Sequence, residues 1–502
     1  MKPNSYWIDS APIKSFPRLQ SDLTVDVLVV GAGITGITTT YLLRKAGISV
    51  ALTERERVAS VDTGHTTAHL TYITDTGLEK LVKDFGRDHA QAVWDAGAAA
   101  IAEIDSIVSK EEIECDFSRA PGFLHVPVFG KSRDLDSDDL KREAELARDL
   151  GFDADFIQAV PVFDVPGVRY ANQAKFHPRK YLRRLVEVIS GDGSHIFEHS
   201  AAEEFDSERR RANVNGHWIS FDRVVIATNN PLVGLGEVSS AMLLQTKLSL
   251  YSSSVLGARI PTGSLPIALF WDTADPYHYL RVDRHTEFDY AVFGGEDYKT
   301  GQVTDTEKCY THLANKLRGF APRAEIDHRW SGQVIMTNDG LPYIGQNAEA
   351  QFIATGYCGN GITFGTLAAM MACDWINGRK NPWSQLFEVD RKPIKAGAWD
   401  YLHENADYPY YMIKDRLQRP EADSVRDLKP GDGMIVKSKS GKVAAHRDSN
   451  GKVHKVSAIC THMGCVVRWN PAEHTWDCPC HGSRFKPTGE VIAGPAEEPL
   501  AS

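Results

Sequence analysis

Long apolar runs are missing from this 502-residue chain: no stretch approaches the roughly eighteen consecutive apolar residues that a bilayer-spanning helix requires. Residues 1–24 hold no apolar core of signal-peptide length and carry Asp9 early, so the expectation is a cytoplasmic protein that is not exported. Surplus positive charge is missing too. Lys and Arg number 56 against 66 Asp and Glu, a net charge of −10, which disfavours a nucleic acid or an anionic membrane as partner. There is no internal repeat and no low-complexity tract. Cysteine is scarce and unevenly placed. Of eight, four fall within 460–480, whereas Cys115, Cys309, Cys358 and Cys373 are scattered, as single buried cysteines of a reducing compartment are. What remains, 42% apolar and 24% charged, is ordinary globular composition, long enough for about two to four domains.

The clustered cysteines come in two loops, Cys460-Thr-His462-Met-Gly464-Cys465 and Cys478-Pro-Cys480-His481-Gly482-Ser483. Each offers a thiolate and an imidazole, the donor set of an iron–sulfur centre with two Cys on one iron and two His on the other. Zinc accepts the same donors, but a zinc ribbon does not require two further cysteines beside its ligands. The second cysteine of each loop, Cys465 and Cys480, is left as a pair able to bridge the loops. These residues, with the later Gly494-Pro495-Ala496, resemble the Rieske [2Fe–2S] family. The resemblance implies Cys460, His462, Cys478 and His481 as cluster ligands and a Cys465–Cys480 disulfide. A disulfide runs against the cytosolic rule; loops that hold the two sulfurs together and limit access by thiols would lower its reduction potential. In respiratory members of the family a Ser, and a Tyr two positions later, hydrogen-bond the cluster. Here Ser483 is present but Phe485 stands at the Tyr position, which implies a lower potential.

A second motif opens the chain. The β-branched run Val25–Val30 leads into Gly31-Ala-Gly33-Ile-Thr-Gly36, then a helix-compatible segment to Ala46, Gly47, a strand at Ile48–Leu52 and Glu54. This is the dinucleotide fingerprint in its structural context. Gly31 permits the tight turn, Gly33 the approach of the pyrophosphate and Gly36 the packing of helix on strand; Glu54 takes the ribose hydroxyls.

Three later segments resemble the glycine oxidase and D-amino-acid oxidase family of flavoproteins: Thr63-Gly-His65-Thr66-Thr67-Ala68, the strand Phe221–Thr228, and Asp339–Gly345 followed by Phe352–Thr363. That resemblance implies FAD as cofactor. It places Thr66 and Thr67 beside the flavin, with Gly356, Gly359, Asn360, Gly361 and Thr363 in a closing loop and helix N-terminus facing the ring. It brings His65, His69, Tyr343 and Tyr357 near the flavin, His65 falling where some relatives attach it covalently, and assigns no catalytic base.

Elsewhere, helical spacing of apolar residues marks 75–108, 137–150 (capped by Ser137 or Asp138) and a helix from His177-Pro178 through Ile189. Residues 244–330 alternate as strands rich in aromatics, among them Tyr251, Trp271, Tyr277, Tyr279, Tyr290 and Trp330, which serve as core or as an amine-binding surface. The expected architecture is an α/β, Rossmann-like FAD-binding domain with an antiparallel-sheet substrate domain, plus a small all-β Rieske domain. The expected boundaries are 1–390 for the flavoprotein (FAD-binding at about 25–75, 175–235 and 335–380), 391–420 for a linker and 421–502 for the Rieske domain. The expected activity is oxidation of a small amine or amino acid at FAD, with electrons leaving singly through the [2Fe–2S] cluster to an external acceptor. A dehydrogenase is favoured over an oxidase. The alternatives are a reductase fed by reduced nicotinamide, disfavoured by the single fingerprint, and a non-catalytic redox sensor or electron carrier.

Overall fold

The β-branched segment at 25–30 forms the centre of a parallel sheet because both of its faces are covered: Val27, Leu28 and Val29 are fully buried in the strand Leu23–Val30. The computed structural model describes residues 2–130, 136–191, 193–236, 238–391, 420–422, 424–438 and 441–501. Leu23–Val30 lies between His217–Ile226 and Val50–Thr53, with Val29 opposite Val225 on one side and Leu52 on the other. Gln351–Thr355 and His195–Phe197 extend the sheet in parallel, and Tyr343–Ala348 pairs antiparallel at its edge. The helices Ile34–Lys45 and Gly361–Ile376 pack against each other beside it. The strand expected at Ile48–Leu52 begins later, at Val50, because the Ile48 N–H is still engaged by the Leu43 carbonyl at the helix end.

Two helices, Leu78–Phe85 and Arg87–Lys110, replace the single amphipathic stretch read at 75–108, with the break at Gly86. The helix Ser137–Asp149 is capped by Asp136, not by Ser137 or Asp138. The Asp136 carboxylate accepts from the Asp138 and Asp139 N–H groups, and Asp139 reciprocates on the Asp136 N–H. The helix Pro178–Ile189 starts as expected, with the His177 ring accepting from the Lys180 N–H at 3.3 Å.

The second sheet has nine strands among the described residues. Glu325–Thr337, Leu248–Ile260, Asp289–Lys299, Tyr279–Arg284 and Leu269–Asp272 form the expected antiparallel run. It continues through strands from earlier in the chain, Ser118–His125, Gly167–Lys175 and His69–Leu70, with Ala154–Ile157 alongside. One pair within it, Leu269–Asp272 with Gly122–His125, is parallel. The polar leader contains a short helix, Tyr6–Ser10, whose Trp7 is buried against Tyr279, Tyr290 and Trp330 of this sheet. Tyr290 and Trp330 are therefore core residues.

The C-terminal residues build two small antiparallel sheets, one of three strands (Gly433–Ser438, Gly441–Arg447, Val453–Ser457) and one of four (Arg468–Asn470, Thr475–Asp477, Arg484–Phe485, Val491–Ala493). This module packs against the rest of the chain. Thr306 donates to the Asn470 side chain at 2.8 Å, Tyr310 to Glu473 at 2.7 Å, and Arg55 to the Ile492 carbonyl at 2.8 Å. Gly482 approaches so closely that a Cβ there would lie 2.6 Å from Leu250 Cβ. Apart from its end residues, the linker expected at 391–420 lies outside the described residues. No described helix is long and apolar enough to cross a membrane.

Candidate active site and cluster loops

The fingerprint turn and the second sheet enclose a cavity of about 750 Å³, within the range of cofactor and ligand sites. Gly31 and Gly33 form one end, at the N-terminus of Ile34–Lys45, where the positive end of the helix dipole suits a phosphate. Gly36 lies behind that wall, and a Cβ there would collide with the Gly31 carbonyl oxygen, so its role is close packing. Glu54 lines the cavity. One of its oxygens accepts from the Ala32 N–H at 2.9 Å and the other from the Glu56 N–H at 2.8 Å. Burial pushes this carboxyl up while the two N–H donors hold it down, and each oxygen keeps a lone pair for a hydroxyl.

His65, Thr66 and Thr67 line the same cavity. Two indoles fix their loop: Trp7 Nε1 donates to the Thr66 carbonyl at 2.7 Å and Trp330 Nε1 to the His65 carbonyl at 2.9 Å. Thr63 Oγ1 accepts from the Ile34 N–H at 3.0 Å, tying the loop to the fingerprint helix. Trp7 has no role legible in the sequence, because it acts through a partner distant along the chain, whereas Thr63 opens the segment expected beside the flavin.

The closing segment contributes Tyr357, Cys358, Gly359, Asn360, Gly361 and Ile362 to the wall. Gly356 and Thr363 stand behind it. Thr363 donates to the Thr71 carbonyl at 2.8 Å, and a Cβ at Gly356 would collide with the Thr337 side chain. The Tyr357 hydroxyl pairs with Thr35 Oγ1 at 2.8 Å. Tyr343, expected near the flavin, is instead buried away from the cavity, under the Arg391 guanidinium at 3.9 Å. From the second sheet come His69, Ser253, Trp271, Tyr279 and Gln333, and from the turn before Tyr279–Arg284 comes Tyr277. Burial, reinforced by the Arg281 charge, pushes the His69 imidazole down to about 3.

In the cluster loops, Cys465 and Cys480 form a disulfide with Cα atoms 6.5 Å apart. Cys460 and Cys478 are buried free thiols, and the His462 and His481 rings lie 4.8 Å apart. His462 Nε2 pairs with Gln245 Oε1 at 2.9 Å, while its Nδ1 is buried without a hydrogen-bond partner, as a metal-ligating nitrogen would be. Burial, with His462 beside it, pushes His481 down to about 4, which keeps the ring neutral for ligation. The sulfurs of Cys465, Cys478 and Cys480 lie within 4.8 Å of one another, but two of them share the disulfide and have no thiolate to offer. Ser483 Oγ accepts from the Ala496 N–H at 3.0 Å and lies within hydrogen-bonding reach of the Cys460 sulfur. Phe485 is fully buried.

Cavity and loops share a wall. Gln333 lines the cavity, and its Nε2 donates to the Gly482 carbonyl, next to His481, at 2.8 Å. Gly494, Pro495 and Ala496 close part of the cavity from the other module.

Residues 26–375 match the family model for FAD dependent oxidoreductase (DAO). The chain belongs to this FAD-dependent oxidoreductase family. Residues 418–502 match the Rieske [2Fe-2S] domain, so this oxidoreductase carries a C-terminal Rieske domain. It is 33% identical over 507 residues to the Rieske 2Fe-2S iron-sulfur protein YhfW of Bacillus subtilis (strain 168), covering 99% of this chain and 97% of that protein. It is 22% identical over 434 residues to gamma-glutamylputrescine oxidoreductase of Escherichia coli (strain K12), covering 82% and 98%. Glycine oxidase from Geobacillus kaustophilus superposes with a TM-score of 0.61 at 17% identity, over 74% of this chain and all of that one.

FAD is the cofactor of this oxidoreductase family, and a [2Fe–2S] cluster that of the Rieske domain. The residues present fit both. The cavity joins a phosphate-suited helix end, a buried acid with spare lone pairs and an aromatic far wall. The loops bring two free thiols and two neutral imidazoles together, with the inward His462 Nδ1 open.

Proposed function

We propose that this FAD-dependent oxidoreductase oxidises a small amine or amino acid in the cavity and passes the electrons singly, through the Rieske centre, to an external acceptor, acting as a dehydrogenase more than as an oxidase. Bound FAD supplies two-electron chemistry and the [2Fe–2S] cluster one-electron chemistry. Gly31, Gly33 and Glu54 would hold the dinucleotide, with Thr66, Thr67 and Gly359–Gly361 along its ring. Cys460, His462, Cys478 and His481 would hold the cluster.

The observation that carries this reading is the shared wall. Gln333 reaches from the cavity to the Gly482 carbonyl, so the strand Glu325–Thr337 borders both the cavity and the cluster loop. Gln245 holds His462 from the same flavoprotein side. The loop Gly494–Ala496 forms part of the cavity wall from the Rieske side. Neutral His69 stands among the aromatic rings, able to accept a hydrogen bond from an amine N–H.

Anaerobic titration of the holoenzyme with candidate amines and amino acids tests the reading. Flavin bleaching followed by the loss of the oxidised cluster's visible absorbance supports it. Bleaching by NADH alone, or by nothing, contradicts it.

A further inference from the structure

Eight carboxylates line the cavity, against two guanidiniums, those of Arg55 and Arg57. Both arginines follow Glu54 at the fingerprint end and both are engaged. Arg55 donates to the Ile492 carbonyl at 2.8 Å, and Arg57 pairs with Glu198 at 2.9 Å. At the end built by the second sheet, no lysine or arginine lines the cavity among the described residues. The nearby Arg281 is turned away. Its three nitrogens are spent on Asp283 and on the carbonyls of Ala68 and Phe176, behind the Thr66–Ala68 loop. What this end offers is three aromatic rings, Trp271, Tyr277 and Tyr279, with the Tyr277 and Tyr279 centroids 5.6 Å apart, and the hydroxyl pair Ser253–Tyr279 at 2.7 Å.

From this arrangement we infer that the substrate is an amine without an α-carboxylate, its cationic nitrogen received by the Trp271, Tyr277 and Tyr279 rings. The inference rests on the reading of the cavity as an amine- or amino-acid-oxidising site and narrows it. A cation gains from the ring faces. An α-amino acid would bring a carboxylate into a buried space with no cation to pair it, and a buried unpaired charge is strongly disfavoured. The His69 ring cannot supply that cation, because burial keeps it neutral.

The test uses the oxidised full-length holoenzyme and two non-reacting ligands of matched size, benzyltrimethylammonium and phenylacetate, with the flavin absorbance as reporter of binding. Benzyltrimethylammonium is expected to bind about a hundredfold more tightly than phenylacetate. Tyr277→Leu, a change at a half-buried ring, is expected to weaken the ammonium ligand by roughly tenfold and leave phenylacetate unchanged. Phenylacetate binding as tightly as the ammonium ligand, or Tyr277→Leu weakening both equally, overturns the inference. Among reacting ligands, phenethylamine is expected to bleach the flavin and phenylalanine of either hand to do so at least about a hundredfold less efficiently; equal efficiency overturns the inference while leaving the oxidoreductase reading in place. If no amine or amino acid bleaches the flavin, that broader reading fails, and the ratio of the two non-reacting ligands still decides the nature of the cavity.

Discussion

Gln333 and Gly482 are 149 residues apart in sequence, yet the Gln333 amide donates to the Gly482 carbonyl at 2.8 Å across the boundary between cavity and cluster loops. Both residues are placed by neighbours that leave little freedom. Gln333 sits on the long strand Glu325–Thr337, and Gly482 is pressed against Leu250.

Replacing this amide tests the shared wall. Gln333→Leu keeps the volume but leaves the Gly482 carbonyl unpaired, a loss of about 1–3 kcal/mol in the contact between modules. The expected outcome in stopped-flow absorbance is a cluster reduction rate that falls much more than the flavin reduction rate. Equal effects on both would assign Gln333 to the cavity alone.

Glu54 gives a check on the cofactor end. Its carboxylate accepts two buried N–H groups, from Ala32 and Glu56, so Glu54→Ala leaves both unpaired, at a cost of about 2–4 kcal/mol. FAD retention after gel filtration and the melting temperature of the holoprotein should both drop. Glu54→Gln, which keeps acceptor capacity on one oxygen, should lose less.

How much of this was legible in the sequence divides along chain distance. The cluster ligands and the disulfide pair lie within 460–481, and the fingerprint within 25–54, so each motif carries its own geometry in local spacing. The wall between them could not be read that way. Gln333, Gln245 and Trp7 act through hydrogen bonds to residues far along the chain, and nothing in their local sequence marks them. The second sheet hid part of itself for the same reason, since its strands at 118–175 pair with partners set by the fold. Of six aromatics noted at 244–330, Trp271, Tyr277 and Tyr279 reach the cavity, whereas Tyr290 and Trp330 are buried around Trp7. Period and composition do not distinguish those fates. Tyr343 was misplaced because it precedes the closing loop in sequence but packs under Arg391.

The cluster potential should follow position 485. Phe485 is buried beside the loops and has no hydroxyl to stabilise the reduced cluster, whereas Ser483 supplies one. A redox titration followed by electron paramagnetic resonance should give a midpoint below that of respiratory Rieske centres, and Phe485→Tyr should raise it. An unchanged midpoint in the variant would mean that the ring position cannot reach a cluster sulfur.

Acid stability has an identifiable contributor. The His278 imidazole beside it, with Lys316 as further partner, holds Glu296 down to about 2 from its ordinary 4.5. A depressed carboxyl stabilises the fold above 4.5, and that contribution fades as pH falls through 4.5 towards 2. Because the group is only partly buried, solvent screening reduces its contribution to about 1–2 kcal/mol. Chemical denaturation from pH 5 to 3 should therefore show a shallower loss of stability in Glu296→Gln than in the native protein, while at pH 7 the variant should be the less stable.

The most direct measurement is anaerobic stopped-flow of Cys478→Ser beside the native holoenzyme, with an amine that bleaches the flavin and an artificial one-electron acceptor present. The expected result is flavin reduction at the native rate and electron delivery to the acceptor abolished with the cluster signal. Delivery that persists without the cluster would contradict an exit through the Rieske centre.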